Sequence, residues 1–257
     1  MEGVIAMPLP ALQNWELTRS SLHRAARLLN AARVRYSQPM PNHLHHSLNI
    51  TPNGLTTGVF AKGEDMPTAE VILDFATATV NNTPLNGYSL QTLSIEVLTR
   101  AELDVPMTNL NDETPFEVNP TLSADYAQAL YSVFTAAARF KARLAGGMSP
   151  IVLWPHHFDL SFLWFATAAH DESAPHMNFG FSPGDEGIPR PYLYAYAYPA
   201  PENQTQIVLP SPAHWHTEGW TGVRVDYDDL YHEAYPESLI ESIFMRVFET
   251  LSPLLAP

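Results

Sequence analysis

Three short stretches hold side chains able to do chemistry, and all lie in the second half of the chain. The first is Trp154-Pro155-His156-His157-Phe158-Asp159-Leu160, where imidazole and carboxylate interrupt an otherwise apolar run from Ile151 to Ala166. Burying a polar group without a partner costs about 2–7 kcal/mol, so His and Asp inside such a run need partners, structural or functional. In an unbroken strand His157, Asp159 and Ser161 share one face, with Trp154, His156 and Phe158 opposite. Pro155 cannot donate to a ladder, and a bulge there would re-aim the residues that follow. His156, His157 and Asp159 are the candidate catalytic residues, with Asp159 orienting a histidine or accepting its proton. Trp154 is a candidate ligand contact.

The second stretch is His214-Trp215-His216-Thr217-Glu218. In an extended strand His214, His216 and Glu218 point to one side at about 7 Å spacing. Two imidazoles and a carboxylate are a donor set for a divalent metal, zinc, iron or manganese, that would lower the pKa of a bound water for hydrolysis. Ordinary hydrogen-bonded histidines are the alternative. The spacing is like the His-x-His of β-built metal sites such as cupins, but the carboxylate falls too close to the second His and the flanking glycines are missing. The third stretch alternates Tyr192, Tyr194, Tyr196 and Tyr198 with Leu193, Ala195 and Ala197, which puts four phenols on one face of a strand. Such a wall suits a pocket for an aromatic or sugar-like ligand, with Tyr192, Tyr194 and Tyr196 as contacts, or plain cross-strand packing. Ser182-Pro183-Gly184-Asp185-Glu186-Gly187 just before it reads as a flexible acidic loop.

The elements that must position these residues follow from hydrophobic period. Apolar residues recur at three- and four-residue spacing from Ser123 to Leu144, with Ser123 as expected N-cap, and from Leu239 to Leu251 after Pro236. Trp15 to Arg33, with Leu22, Ala25, Ala26, Leu29 and Ala32 inward, and Ser89 to Leu103 read as two further helices. Strands are expected at His43–Thr51, Leu55–Phe60, Glu70–Phe75 and Ala78–Val80, then at Ser149–Thr167, Met177–Phe181, Pro191–Tyr198 and His214–Val225. The order of helix, strands and helix occurs twice. The expected fold is therefore α+β, with two similar α-β-β-β-α subdomains, antiparallel sheets flanked by helices, and a boundary near residue 110: residues 1–110, then 111–257 carrying the site.

Composition closes off several classes. The 257 residues include 13 Lys plus Arg against 27 Asp plus Glu, a net charge of −14. That argues against nucleic acid and anionic membrane as partners, because both are bound by clustered basic residues. Without cysteine there is no disulfide, thiolate nucleophile or zinc finger, so chemistry is confined to imidazole, carboxylate and phenol. Eight histidines gather in three clusters: His43, His45 and His46; His156, His157 and His176; His214 and His216. Glu2 sits where a secretory signal carries positive charge, and no uncharged run of about 18 apolar residues occurs; a soluble cytoplasmic protein is expected. Asp226, Asp228 and Asp229 lack the glycine and closing Glu of a calcium loop. No phosphate-binding loop, dinucleotide fingerprint or nucleophile elbow is present.

Ser149-Pro150, His156-x-Phe158-Asp159-Leu160, Gly180-Phe181-x-Pro183-Gly184 and Tyr194-Ala195-Tyr196-x-Tyr198-Pro199, with Asn42-His43, Gly54-Leu55-Thr56-Thr57 and Asp74-Phe75 in the first half, make the chain resemble a family of uncharacterised bacterial proteins of this size. The resemblance spans most of the chain. It implies that His156 and Asp159 belong to a shared His-x-Phe-Asp-Leu pattern, and it supplies no reaction. The reading is an enzyme acting on a small polar or aromatic molecule, by metal-assisted hydrolysis in its sharpest form, or a non-catalytic protein binding such a ligand.

Overall fold

The computed structural model describes residues 8–64 and 66–255; Glu2 lies outside them. The chain falls into two compact units that are not separated at a single point. The first comprises residues 12–131 and 152–158, and the second comprises the described parts of 1–11, 132–151 and 159–257.

In the first unit α1 (Glu16–Tyr36) buries Leu22, Ala25, Ala26, Leu29 and Ala32 completely, as their spacing requires. The expected strand from His43 is not there. Pro41–His46 forms a tight 3-10 turn in which Asn42 and His43 take left-handed φ values of 51° and 52°. The flanking prolines and Asn42 explain this, since Pro fixes φ and Asn tolerates the left-handed region. Asn30 Nδ2 pins the turn by donating to the His46 carbonyl at 2.8 Å. Seven short strands follow: β1 (Asn49–Thr51), β2 (Gly54–Thr56), β3 (Phe60–Ala61), β4 (Thr68–Ala69), β5 (Ile72–Asp74), β6 (Thr79–Val80) and β7 (Thr83–Pro84). They form an antiparallel sheet ordered β1-β2-β5-β6-β7 and a separate β3-β4 hairpin.

Helix α2 (Leu90–Ala101) opens on a capping box. Ser89 Oγ accepts from the Thr92 amide at 3.2 Å, and Thr92 Oγ1 accepts from the Ser89 amide at 2.9 Å. Helix α3 (Pro120–Lys141) begins three residues before the expected cap, because Asn119 Oδ1 already accepts from the Thr121 and Leu122 amides and Pro120 suits a first helical position. Ser123 donates instead to the Phe75 carbonyl at 2.7 Å. The core of this unit is a ring cluster of Trp15, Phe75, Tyr126 and Phe158, with centroids 4.8 to 6.1 Å apart.

The last piece of the first unit revises the chemistry-bearing stretch. Ser149–Thr167 is not one strand. After Val152–Trp154 (β9 in chain order) the chain turns at Pro155-His156-His157, with Phe158 at a left-handed φ of 59°. That conformation is costly for a bulky residue and is held by burial of the Phe158 ring in the aromatic cluster. His156 and His157 are consequently exposed at the turn and are not buried in a strand.

In the second unit the strands are β8 (Gly147–Met148), β10 (Asp159–Phe165), β11 (His176–Ser182), β12 (Tyr192–Tyr198), β13 (His214–His216) and β14 (Gly222–Asp226), antiparallel in the order β13-β14-β12-β11-β10-β8. The expected His214–Val225 strand is two strands, broken at residues 217–221. Helix α4 (Pro236–Leu251) and the end of α3 belong to this unit. Leu160, Phe162, Met177, Phe179, Phe181, Leu193, Ala195, Val223 and Val225 fill one sheet face and are buried. Phe179 lies 4.8 Å from Phe140 of α3 and 5.4 Å from Phe244 of α4 between ring centroids.

The chain is thus α+β with antiparallel sheets and helices packed on them. The two units differ in strand number and order, so the repeat expected from the sequence is not visible in their topology. Among the described residues no helix is long and apolar enough to cross a membrane. Truncating Phe179 to Ala removes the ring on which three others meet. It is expected to cost about 3–5 kcal/mol, read as a lower urea midpoint with unchanged slope.

Candidate functional site

The face of the large sheet opposite Phe179 is polar, and the antiparallel registers set its side chains in rows. One row runs Ser161, Gly180, Tyr194, Arg224 and His214 across five strands, β10 to β13. A second contains Leu163, Asn178 and Tyr196, and a third contains Ser182, Tyr192 and Asp226. Asp159 alternates with Ser161 and opens the same face. The registers therefore bring together Asp159, Tyr192, Tyr194, Tyr196, His214 and His216, which the sequence scatters over almost 60 positions.

The centre of this face is a hydrogen bond from the Tyr194 hydroxyl to Asp159 Oδ2. These residues sit on β12 and β10, two strand spacings or about 10 Å apart, and β11 lies between them. The crossing is possible because the residue between is Gly180. A Cβ there would stand 2.2 Å from Tyr194 Cζ, so the phenol lies flat over a position with no side chain. Burial, then the negative charge of Asp159, pushes the Tyr194 phenol well above the usual tyrosine range. Tyr194 accordingly stays protonated at neutral pH, with its proton aimed at Asp159.

Its neighbours follow the same pattern. Asn178 Nδ2 donates to the Tyr196 hydroxyl at 2.9 Å. Burial raises the pKa of Tyr196, and it raises that of Tyr192 against an opposing hydrogen bond with Ser182. Arg224 donates to Asp226 Oδ1 at 2.7 and 2.6 Å. This pair is partly exposed, so it orients the guanidinium more than it stabilises the fold. Trp220, in the loop between β13 and β14, folds down onto the face. Its ring lies 4.5 Å from His216, 6.4 Å from Tyr192 and 6.2 Å from Tyr194. Gly222 makes room for it, since a Cβ there would meet the indole at 2.6 Å.

The remaining candidates are placed elsewhere. His156, His157 and Trp154 belong to the first unit, and a hydrogen bond that Asp159 accepts in the second comes from Tyr194. Strand β13 ends at His216, and Glu218 is exposed in the following loop. His216 Nε2 donates to the backbone carbonyl of Glu218 at 2.7 Å, while His214 is exposed on the opposite side of Arg224 from Tyr194. Among the described residues no three His, Asp or Glu side chains are grouped to hold a metal. Asn178 is not singled out in the sequence, Gly180 enters only as part of a shared motif, and Ser182 reads as the start of a loop where it ends β11; the alternation His176-Met177-Asn178-Phe179-Gly180-Phe181-Ser182 carried the signal. Trp220 had no such signal, because its position depends on how a loop folds back.

The model of a family of unknown function, DUF5996, matches residues 7–254, and the chain belongs to that family. No curated protein and no solved structure matches it.

Two outcomes follow from the Tyr194–Asp159 bond. Tyr194→Phe leaves the carboxylate without its phenol donor and is expected to destabilise by about 1.5–3 kcal/mol. The phenol is raised in the folded state, so the stability it contributes is complete below the ordinary tyrosine pKa of about 10 and is lost as pH rises toward its folded value. Chemical denaturation at stepped alkaline pH should therefore show a shallower loss in Tyr194→Phe than in the parent. Gly180→Ala, which drives Tyr194 off Asp159, should reproduce that shallower slope.

Proposed function

We propose that this member of a family of unknown function binds a small polar molecule carrying an aromatic or sugar ring on the polar face of its large sheet. The observation that carries the reading is the Tyr194–Asp159 hydrogen bond laid across Gly180 within a patch of Tyr192, Tyr196, Trp220 and His216. An antiparallel sheet can expose a polar face to water without any function. This face goes further, spending a glycine and a charged hydrogen bond to lay one phenol flat beside three other aromatic rings.

The chemistry offered is acceptor-rich. The Tyr194 proton is directed at Asp159, and the phenols of Tyr192 and Tyr196 add oxygen acceptors to the same face. The complementary ligand carries hydroxyl or amine donors at its edge, while its ring stacks on tyrosine and tryptophan faces. A phenol held protonated by its raised pKa favours binding over proton transfer. Metal-assisted hydrolysis through His214, His216 and Glu218 gains no support from the positions of those groups.

Ligand-observed NMR against a panel of phenols, aryl amines and pyranose sugars tests this. Binders are expected to lose about ten- to hundredfold in affinity in Asp159→Asn, the equivalent of one hydrogen bond to a charged group. A weaker loss is expected in Trp220→Phe. Unchanged affinity in both variants, with thermal midpoints intact, would remove the face from consideration.

A further inference from the structure

The first unit holds a second concentration of chemistry, independent of the tyrosine face. Six histidines converge from three elements. His23 lies on α1, His43, His45 and His46 lie in the Pro41–His46 turn, and His156 and His157 lie in the turn after β9. The approach is fixed by backbone. Leu48 and Leu153 exchange two amide-to-carbonyl hydrogen bonds, at 2.8 and 2.9 Å, as an antiparallel bridge. The Pro41–His46 turn and the Pro155-His156-His157 turn both stand at one end of that bridge, where the two chains leave extended pairing. His23 Nε2 closes the third side by donating to the Pro155 carbonyl at 2.8 Å, with its ring stacked 5.2 Å from Phe158. Rings within the turns are close, 4.2 Å between His45 and His46 and 4.3 Å between His156 and His157.

The surroundings are basic in a chain of net charge −14. Arg19 and Arg27 flank His23 at four-residue spacing on α1 and repel its protonated form, as does His157. His156 feels His157, His46 and His23, and His46 feels His45 and His43. Arg33, also on α1, donates to the Leu44 carbonyl at 3.5 Å beneath the first turn. The charges that act most on His46 and His156 are other histidines, and those that act most on His23 are Arg27, Arg19 and His157. Asp112 acts further along α1, on Arg27 and on its ion-pair partner Arg24. Burial and this mutual repulsion hold the three imidazoles below the ordinary histidine value. His45 is fixed in one tautomer, since its Nδ1 accepts the Met40 amide at 3.1 Å and its Nε2–H is left as a donor. His43, His156, His157 and Arg27 are exposed.

Once its six imidazoles are protonated beside Arg19 and Arg27, this surface carries more positive charge than Asp112 can balance. We propose that it is a proton-gated site for a small oxyanion, the phosphate, sulfate or carboxylate group of a free ion or small metabolite. It is closed at alkaline pH and filled as the histidines charge. The anion supplies the negative charge that the fold withholds, and it accepts hydrogen bonds from several imidazole N–H groups at once.

Sulfate is the suitable probe because its own charge is constant over the range. Histidine ring resonances would be followed by NMR during sulfate titration at about pH 5.5 and about pH 8, with ionic strength held by chloride. Saturable shifts of the His156, His157 and His46 signals are expected at the lower pH, with affinity at least tenfold weaker at the higher. The His156→Gln/His157→Gln variant, altered only at exposed positions, should lose the binding while its circular dichroism at pH 5.5 matches the parent. Equal affinity at both pH values, shifts indistinguishable from those with chloride, or undiminished binding in the variant would overturn the proposal. Sedimentation with phosphatidylglycerol vesicles at pH 5.5 without saturable sulfate binding would assign the patch to a charged surface and overturn it equally.

Discussion

Pleat alternation in the large antiparallel sheet is the constraint on which the second unit depends. Alternate side chains of β11, β12 and β14 are apolar and buried, as are Leu160 and Phe162 of β10, and the Phe179 ring meets Phe140 and Phe244 from two helices. Once that face is committed to the core, the intervening residues have only one place to go. Asp159, Ser161, Asn178, Gly180, Tyr192, Tyr194, Tyr196 and Arg224 share a surface because their neighbours in sequence are hydrophobic. A one-residue slip of register would expose the phenylalanines and bury the carboxylate, so the energetics of the core also hold the polar face in place.

Within that surface the arrangement is governed by what is missing at two positions. Gly180 lets Tyr194 lie across a strand, and Gly222 lets Trp220 descend onto the sheet. Both are places where a Cβ would meet a ring at under 3 Å. Ser161 and Asn178, short side chains of the same face, are buried. Burial raises the tyrosine pKa values. The phenols therefore act as neutral, fixed hydrogen-bonding groups.

The first unit shows the opposite electrostatic habit. Burial, and then repulsion from one another and from the arginines beside His23, make His23, His46 and His156 favour their neutral forms. Such groups contribute stability that is complete above about pH 6.5 and declines as the unfolded chain takes up protons below it. The two turns that carry most of them are irregular for local reasons. Asn42, His43 and Phe158 all occupy the left-handed region, and the first turn is flanked by prolines while the second is anchored by a buried ring.

Much of this was legible in the sequence. The helical periods of α1 and α4, the strict tyrosine alternation and the pairing of Asp159 with Ser161 on one face are local properties of neighbouring residues, and a sequence records them directly. Charge and the lack of cysteine likewise fixed which chemistries were open. What the tertiary structure decided is everything that depends on a distant partner or an unusual dihedral. Pro155 was visible as a break, but that it opens a full turn, leaving His156 and His157 exposed, rests on Phe158 finding Tyr126 and Phe75 in the core. That Glu218 leaves the line of His214 and His216 follows from the end of β13. That Asp159 meets Tyr194, 35 positions away, is set by strand order and register, which no stretch of the chain encodes alone because the hydrogen bonds that fix them are made between stretches.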